Sequence, residues 1–123
     1  MSAAFADLLV QRIDVAQEVD IETRSPEGKT HKVTIWVVVV DGVPYVRSVK
    51  GPKGRWYREL TARKDGVLHV GRRTVPVRPV KVRAPETIDE VSAAFWRKYA
   101  KTASLFSMLR LATLDTTLRL EPV

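Results

Sequence analysis

"KVTIWVVVVDGVPYVRSVKGPKGRWYREL", residues 32–60, decides the fold. Its first nine residues are β-branched almost throughout, which favours a strand covered on both faces. Asp41-Gly42 follows, a dipeptide that favours the tight two-residue turn of a β-hairpin. Such a turn places opposite each other positions whose numbers add to the same total. Val40 then faces Val43, Val38 faces Tyr45, and Trp36 faces Arg47. An arginine in the otherwise apolar strand 43–49 is thereby set across from an indole. Two readings stay open for it: a cation–π pair sealing the sheet, or a rigidly held guanidinium meeting an anion.

Beyond the hairpin lies "KGPKGR", residues 50–55. Gly51 and Gly54 permit positive φ and leave backbone N–H groups uncovered. A short helix is expected after the loop, over 55–63, whose first N–H groups and positive dipole end point into the same space. Lys50, Lys53 and Arg55 add full charges. The combination reads as an anion site suited to phosphate, with a solvated loop whose glycines only turn the chain as the alternative. It is neither a Walker loop nor a dinucleotide fingerprint, because the spacing and the βαβ context are missing. Of Trp56 and Tyr57, one is expected in the core and the other free to stack on a planar ligand.

Outward from this segment, residues 3–16 carry Phe5, Leu8, Leu9 and Ile13 at helical steps. "VDIET", 19–23, alternates as a strand, and "RSPEGKT" is a turn. Residues 66–70 and 74–82 form a second hairpin around Gly71-Arg72-Arg73. Pro76 and Pro79 imply that its second strand is an edge or a bulged one. Thr87 and Glu90 read as a capping box for a helix reaching Tyr99, with Ile88, Val91, Phe95 and Tyr99 facing inward. A short helix over 103–112 and a last strand at "TTLRLEP" complete the chain. The expected architecture is α+β and mainly β. It is one domain over 1–123, a small antiparallel split β-barrel with an N-terminal helix and C-terminal helices packed outside.

Composition bounds the chemistry. The 123 residues contain no cysteine and two histidines, and the formal net charge is +7. Thiolate chemistry is excluded, and no metal site is expected. Residues 47–83 hold twelve Lys or Arg against Glu59 and Asp65, a local balance of +10, so the remainder carries −3. A negatively charged partner is to be sought in this middle third, with a solvated basic face as the alternative. The longest apolar run, Ile35–Val40, is too short to span a bilayer. The N-terminus lacks a signal-peptide pattern, so a cytoplasmic location is expected. No Ser/His/Asp set or paired carboxylates stand out, which disfavours a hydrolase.

The order of "TRSPEGK", apolar strand, Asp-Gly, strand, "VRSVKGPKGRWYREL" and "VGRRTVPV" resembles the flavin- and deazaflavin-binding split-barrel superfamily. That superfamily includes pyridoxamine-phosphate-oxidase-like and deazaflavin-dependent nitroreductase-like proteins. Within it, the segments are similar to a bacterial domain-of-unknown-function family. The resemblance covers about residues 19–82. It implies a homodimer with the cofactor, FMN or a deazaflavin, at the subunit interface. Phosphate-binding positions would fall on Thr23, Arg24 and Lys29 of the turn, and on Ser48, Lys50, Gly51, Lys53, Gly54 and Arg55 of the loop. The ring would lie near Trp56 and the Trp36/Arg47 pair. Glu59 stands where relatives carry Asn, and would repel a phosphate or pair with Arg55 or Arg63. The leading reading is therefore a binder of a phosphorylated flavin or deazaflavin, with oxidoreductase as its enzyme class. The alternatives are a cofactor-free carrier or interaction barrel, and a nucleic-acid module using the basic 47–83 segment with Tyr45, Trp56 and Tyr57 as stacking groups.

Overall fold

The computed structural model describes residues 4–123; the first three residues, including the expected helix start at Ala3, lie outside the described part. Helix α1 (Asp7–Val15) leads to β1 (Val19–Arg24) and β2 (Thr30–Ile35). Strands β3 (Val38–Val40) and β4 (Val43–Val46) follow, then α2 (Arg55–Arg63), β5 (Gly66–Val70) and β6 (Arg73–Lys81). Helix α3 (Pro85–Lys98), a 3-10 segment (Ala103–Leu109), the short α4 (Leu111–Leu114) and β7 (Leu118–Pro122) complete the chain. The strands form one antiparallel sheet in the order β2-β1-β5-β6-β7-β4-β3. No helix among the described residues is long and apolar enough to cross a membrane.

The Asp41-Gly42 turn has positive φ at both positions, 51° and 77°, as the tight hairpin turn requires. Its register is the expected one: Val38 pairs with Tyr45 and Val40 with Val43. Other expectations need correction. The run 32–40 is not one central strand. It breaks at Trp36-Val37, and its two halves, β2 and β3, form the opposite edges of the sheet. The chain thus crosses from one edge to the other in two residues and closes the curl. Lys32 and Thr34 are exposed, so the run also has a polar side.

Helix α3 supplies what the break removes from the ladder. Val37 N–H donates to the Tyr99 hydroxyl (3.3 Å), and that hydroxyl donates to Gln17 O (2.7 Å). The Lys98 ammonium donates to Val37 O (2.7 Å) and to Ile13 O (3.3 Å). Trp36 stacks on Tyr99, with centroids 4.0 Å apart and planes at 3°. Both backbone groups of Val37 are therefore matched.

Burial lowers the Lys98 pKa to about 8, with Asp14 opposing the shift. The unfolded chain keeps its proton to a higher pH than the folded one, so it binds more protons between about 8 and 10.5. Lys98 should therefore make the protein gain stability as pH rises through that window. Urea melts at the two ends should show the gain in the wild type. Lys98→Met should be less stable overall and should show a smaller gain. An equal gain in the variant would refute the assignment.

Strand β6 lies inside the sheet rather than at an edge. Pro76 and Pro79 are tolerated because neither has a strand on both sides. Residues 73–77 pair with β5 and residues 77–81 with β7. Each proline, with no N–H to donate, faces the side where its neighbour has ended. Helix α3 begins at Pro85, in the favoured first position, so Thr87 is inside the helix and makes no cap. The apolar interior divides into two. One cluster, with Ile13, Ile21, Leu60, Leu68 and Leu118, fills the curl under α1 and α2. The other, with Val38, Tyr45, Val91, Phe95, Tyr99 and Met108, lies between α3 and the β3–β4 hairpin.

Candidate functional site

Between β2, the 48–54 loop and the start of α2 lies a cavity of about 540 Å³. Trp36, Arg47, Ser48, Lys50, Gly54, Arg55 and Trp56 line it, seven of the sequence-derived site residues. The structure does not bring the other five to its walls. Thr23 is buried against Glu59, donating to its carboxylate at 2.7 Å. Arg24 pairs at 3.6 Å with Asp65. Lys29 is exposed on the far turn. Gly51 is buried beside Ala112. Lys53 is exposed, and its carbonyl accepts from Arg58.

The loop is anchored from C-terminal segments distant in sequence. Ser48 N–H donates to Thr116 Oγ1 (2.8 Å), and Thr116 donates on to Thr113 O (2.6 Å). Gly51 takes the positive φ, 73°, that the loop needs. Gly54 does not: its φ is −58°. Glycine is required there for space, because a Cβ would collide with Ser48 Oγ. Gly54→Ala should cost about 1–3 kcal/mol through this overpacking, read as a lower urea midpoint. An unchanged midpoint would mean that the loop is slack.

Helix α2 spans the expected residues and starts from Gly54 with no side-chain cap, so its first N–H groups are open. Beside them, Ser48 Oγ is buried and has no hydrogen-bond partner among the described residues. Lys50 and Arg55 are exposed at the rim. Tyr57 turns into the core while Trp56, half-buried, stays in the cavity wall. Tyr45 is buried as well, which removes two of the three aromatics that a base-stacking surface would use.

Arg47 corrects the sequence reading most strongly. It lies just past β4, beyond the hairpin pairing, and is 1% exposed. No pair with Trp36 forms, because the strand break turns Trp36 onto Tyr99. Instead the guanidinium donates to Thr117 Oγ1 (2.8 Å), Ser92 Oγ (2.9 Å), Met108 O (3.0 Å) and Ile88 O (3.0 Å). It also sits 5.3 Å from the Phe95 ring centroid. Burial lowers its pKa to about 10, which leaves it charged at neutral pH. The side chain ties loop, α3, 3-10 segment and β7 together, and its donors go to the protein.

Glu59 pairs with neither Arg55 nor Arg63. Its carboxylate accepts from Thr23 and lies 3.1 Å from His31 Nδ1. Burial pushes its pKa up, but the Thr23 and His31 hydrogen bonds and the nearby Arg55 charge outweigh that and hold it below the usual range. Arg63 instead donates to Ser25 O at 2.7 Å. His31 lines the cavity and was missed from the sequence, as were Thr116, Thr117 and Ser92.

A family described as "Uncharacterized protein conserved in bacteria (DUF2255)" matches residues 9–120. The chain belongs to this family. No curated protein sequence matches it. Solved structures do resemble this DUF2255 chain. ChuZ of Campylobacter jejuni superposes with a TM-score of 0.74 at 11% identity over 94% of the chain, which spans only 51% of ChuZ. An F420-H2-dependent reductase, FDR-A, gives 0.62 at 17% identity, covering 85% of this chain and 93% of the reductase. An FAD-binding protein of Mesorhizobium loti gives 0.64 at 15%, covering 97% and 91%. HutZ, the heme storage protein of Vibrio cholerae, gives 0.63 at 10%, covering 98% and 91%. At these identities the likeness establishes the fold: the DUF2255 chain is a split barrel.

Proposed function

We propose that the protein binds a phosphorylated flavin or deazaflavin in the cavity beside α2, and that it serves redox chemistry in the cytoplasm. The observation that carries this reading is Ser48 Oγ, buried without a partner among the described residues beside the uncapped N-terminus of α2. A buried hydroxyl without a hydrogen bond is costly. A phosphate oxygen at the helix start would satisfy it and would meet the dipole and the Lys50 and Arg55 charges. Gly54, having no Cβ, leaves the room that Ser48 Oγ itself occupies at the helix start. The indoles of Trp36 and Trp56 offer flat apolar surface to a ring. Neighbours named for F420 and FAD support a cofactor of this type, and FMN or a deazaflavin is the group these residues fit. When bound, that group would supply the electron transfer, and the chain would orient it and exclude water. The turn residues Thr23, Arg24 and Lys29 have no part in this site. An FMN titration followed by flavin fluorescence tests the reading; no binding at millimolar concentration would end it.

The same reading takes the protein as a homodimer. Trp96 and Phe106 are 52% and 66% exposed and meet edge-to-face with centroids 6.0 Å apart, an aromatic surface suited to a second copy. Light scattering at micromolar concentration should give the dimer mass; a monomer mass would refute it.

A further inference from the structure

We propose that His31 is the group through which this cavity exchanges protons with its ligand, with Glu59 as its positioning residue. The inference rests on the functional reading above for the identity of the ligand, and on geometry for the dyad itself. Strands β1 and β2 pair Thr23 with His31, so the two side chains share the inward face of the sheet. Helix α2 brings Glu59 onto that face. Its carboxylate is 9% exposed, with Thr23 Oγ1 at 2.7 Å and His31 Nδ1 at 3.1 Å from both of its oxygens.

These contacts fix the imidazole. Glu59 is held ionised, so it can only accept, and the proton it receives from the ring must be on Nδ1. The neutral ring therefore carries its lone pair on Nε2. That atom has no hydrogen-bond partner among the described residues, and the ring lines the cavity. His69, the other histidine, is different: its Nε2 is spent on Glu22 at 2.9 Å. A carboxylate behind an imidazole whose far nitrogen is free is a proton-transfer arrangement.

The step is balanced. Nε2 takes a proton from an acidic N–H or O–H of the ligand. The imidazolium formed is stabilised by Glu59, and the ligand is left as an anion near Arg55 and Lys50. The reverse step returns the proton to the same ligand atom. The other charged groups lining the cavity are Glu18 and Arg47, whose donors are spent on the protein. A planar ligand with an ionisable ring N–H and an anionic tail is the chemical class this serves.

Two histidines make the test simple, because His31→Gln assigns the imidazole signals. Long-range proton–nitrogen spectra at mildly alkaline pH should show His31 as the Nδ1–H tautomer. Glu59→Gln should shift it toward the Nε2–H form. An Nε2–H tautomer in the wild type, or the same spectrum in both proteins, would overturn the dyad. Absorption spectra of bound FMN taken as pH is raised read the proton itself, since loss of the ring N–H proton changes the flavin spectrum. The wild type should show the deprotonated ring at lower pH than His31→Gln does, because the imidazole takes that proton and the anion is left near Arg55 and Lys50. Identical spectral titrations in the two proteins would refute proton exchange at His31. Hemin that gave a Soret band in the wild type and not in His31→Gln would overturn the proposal in favour of an iron ligand. If FMN failed to bind the wild type, the functional reading would fail separately, and the tautomer result would still decide the dyad.

Discussion

Arg47→Met should lower the stability of the fold by on the order of 3 kcal/mol. Four hydrogen bonds from a charged donor contribute about 1.5–3 kcal/mol each, and part of that is offset by the cost of burying the charge. That cost is visible in the pKa lowered to about 10. After the substitution Met108 O, Ser92 Oγ and Thr117 Oγ1 lose the donor that joins three separate segments. Arg47→Lys should not rescue stability, because an ammonium cannot reproduce the planar fork. Urea melts of the three proteins decide the matter. If Arg47→Met melted like the wild type and only ligand binding suffered, the side chain would be a ligand anchor instead.

Removing Lys50 and Arg55 together should weaken FMN by about 1.5–3 kcal/mol for each charge-assisted hydrogen bond lost. That is roughly one to two orders of magnitude in Kd for each bond. Riboflavin, which lacks the phosphate, should be almost unaffected. Lys53→Ala should change neither ligand, since Lys53 is not in the cavity wall. Equal loss of FMN and riboflavin in the double variant would show that these cations act on the ring or on the fold. A loss from Lys53→Ala would show that the loop rearranges on binding.

The parts of this fold that were legible in the sequence are those governed by local chemistry. Asp41-Gly42 specified a turn and, with it, a register that the structure keeps. The helix over 55–63 was readable as the element that follows the basic glycine loop. The break at Trp36-Val37 was not readable, because β-branched residues continue across it. What makes the break tolerable is Tyr99 and Lys98, about sixty residues later, and no local pattern announces them. The Trp36/Arg47 pair failed for the same reason: a correct register was extended two residues beyond the strands. The helix before Tyr99 was found, but Pro85 at its start outweighed the apparent capping box.

The candidate site divides along the same line. Ser48, Lys50, Gly54, Arg55 and Trp56 were visible because they are contiguous. His31 and Glu59 were hidden by 28 residues of separation. A signal for them did exist. In "VDIETR" and "THKVTI" the inward-facing positions are Val19, Ile21, Thr23 and His31, Val33, Ile35. Two polar residues at the end of an apolar stripe imply a polar partner buried with them. Glu59, beside the buried Tyr57 and Leu60 of α2, is that partner.

The Trp36-Val37 junction also limits how this chain can vary in length. β2 is locked to β1 and β3 to β4, each with its own side-chain alternation. A residue inserted or deleted between them would have to be absorbed by sliding one strand, which turns its inward face outward. The turns at 26–28 and 71–72 carry no such double constraint and lie at the surface. Length variation among DUF2255 chains should therefore collect at those turns, with the two-residue junction kept constant while its side chains change.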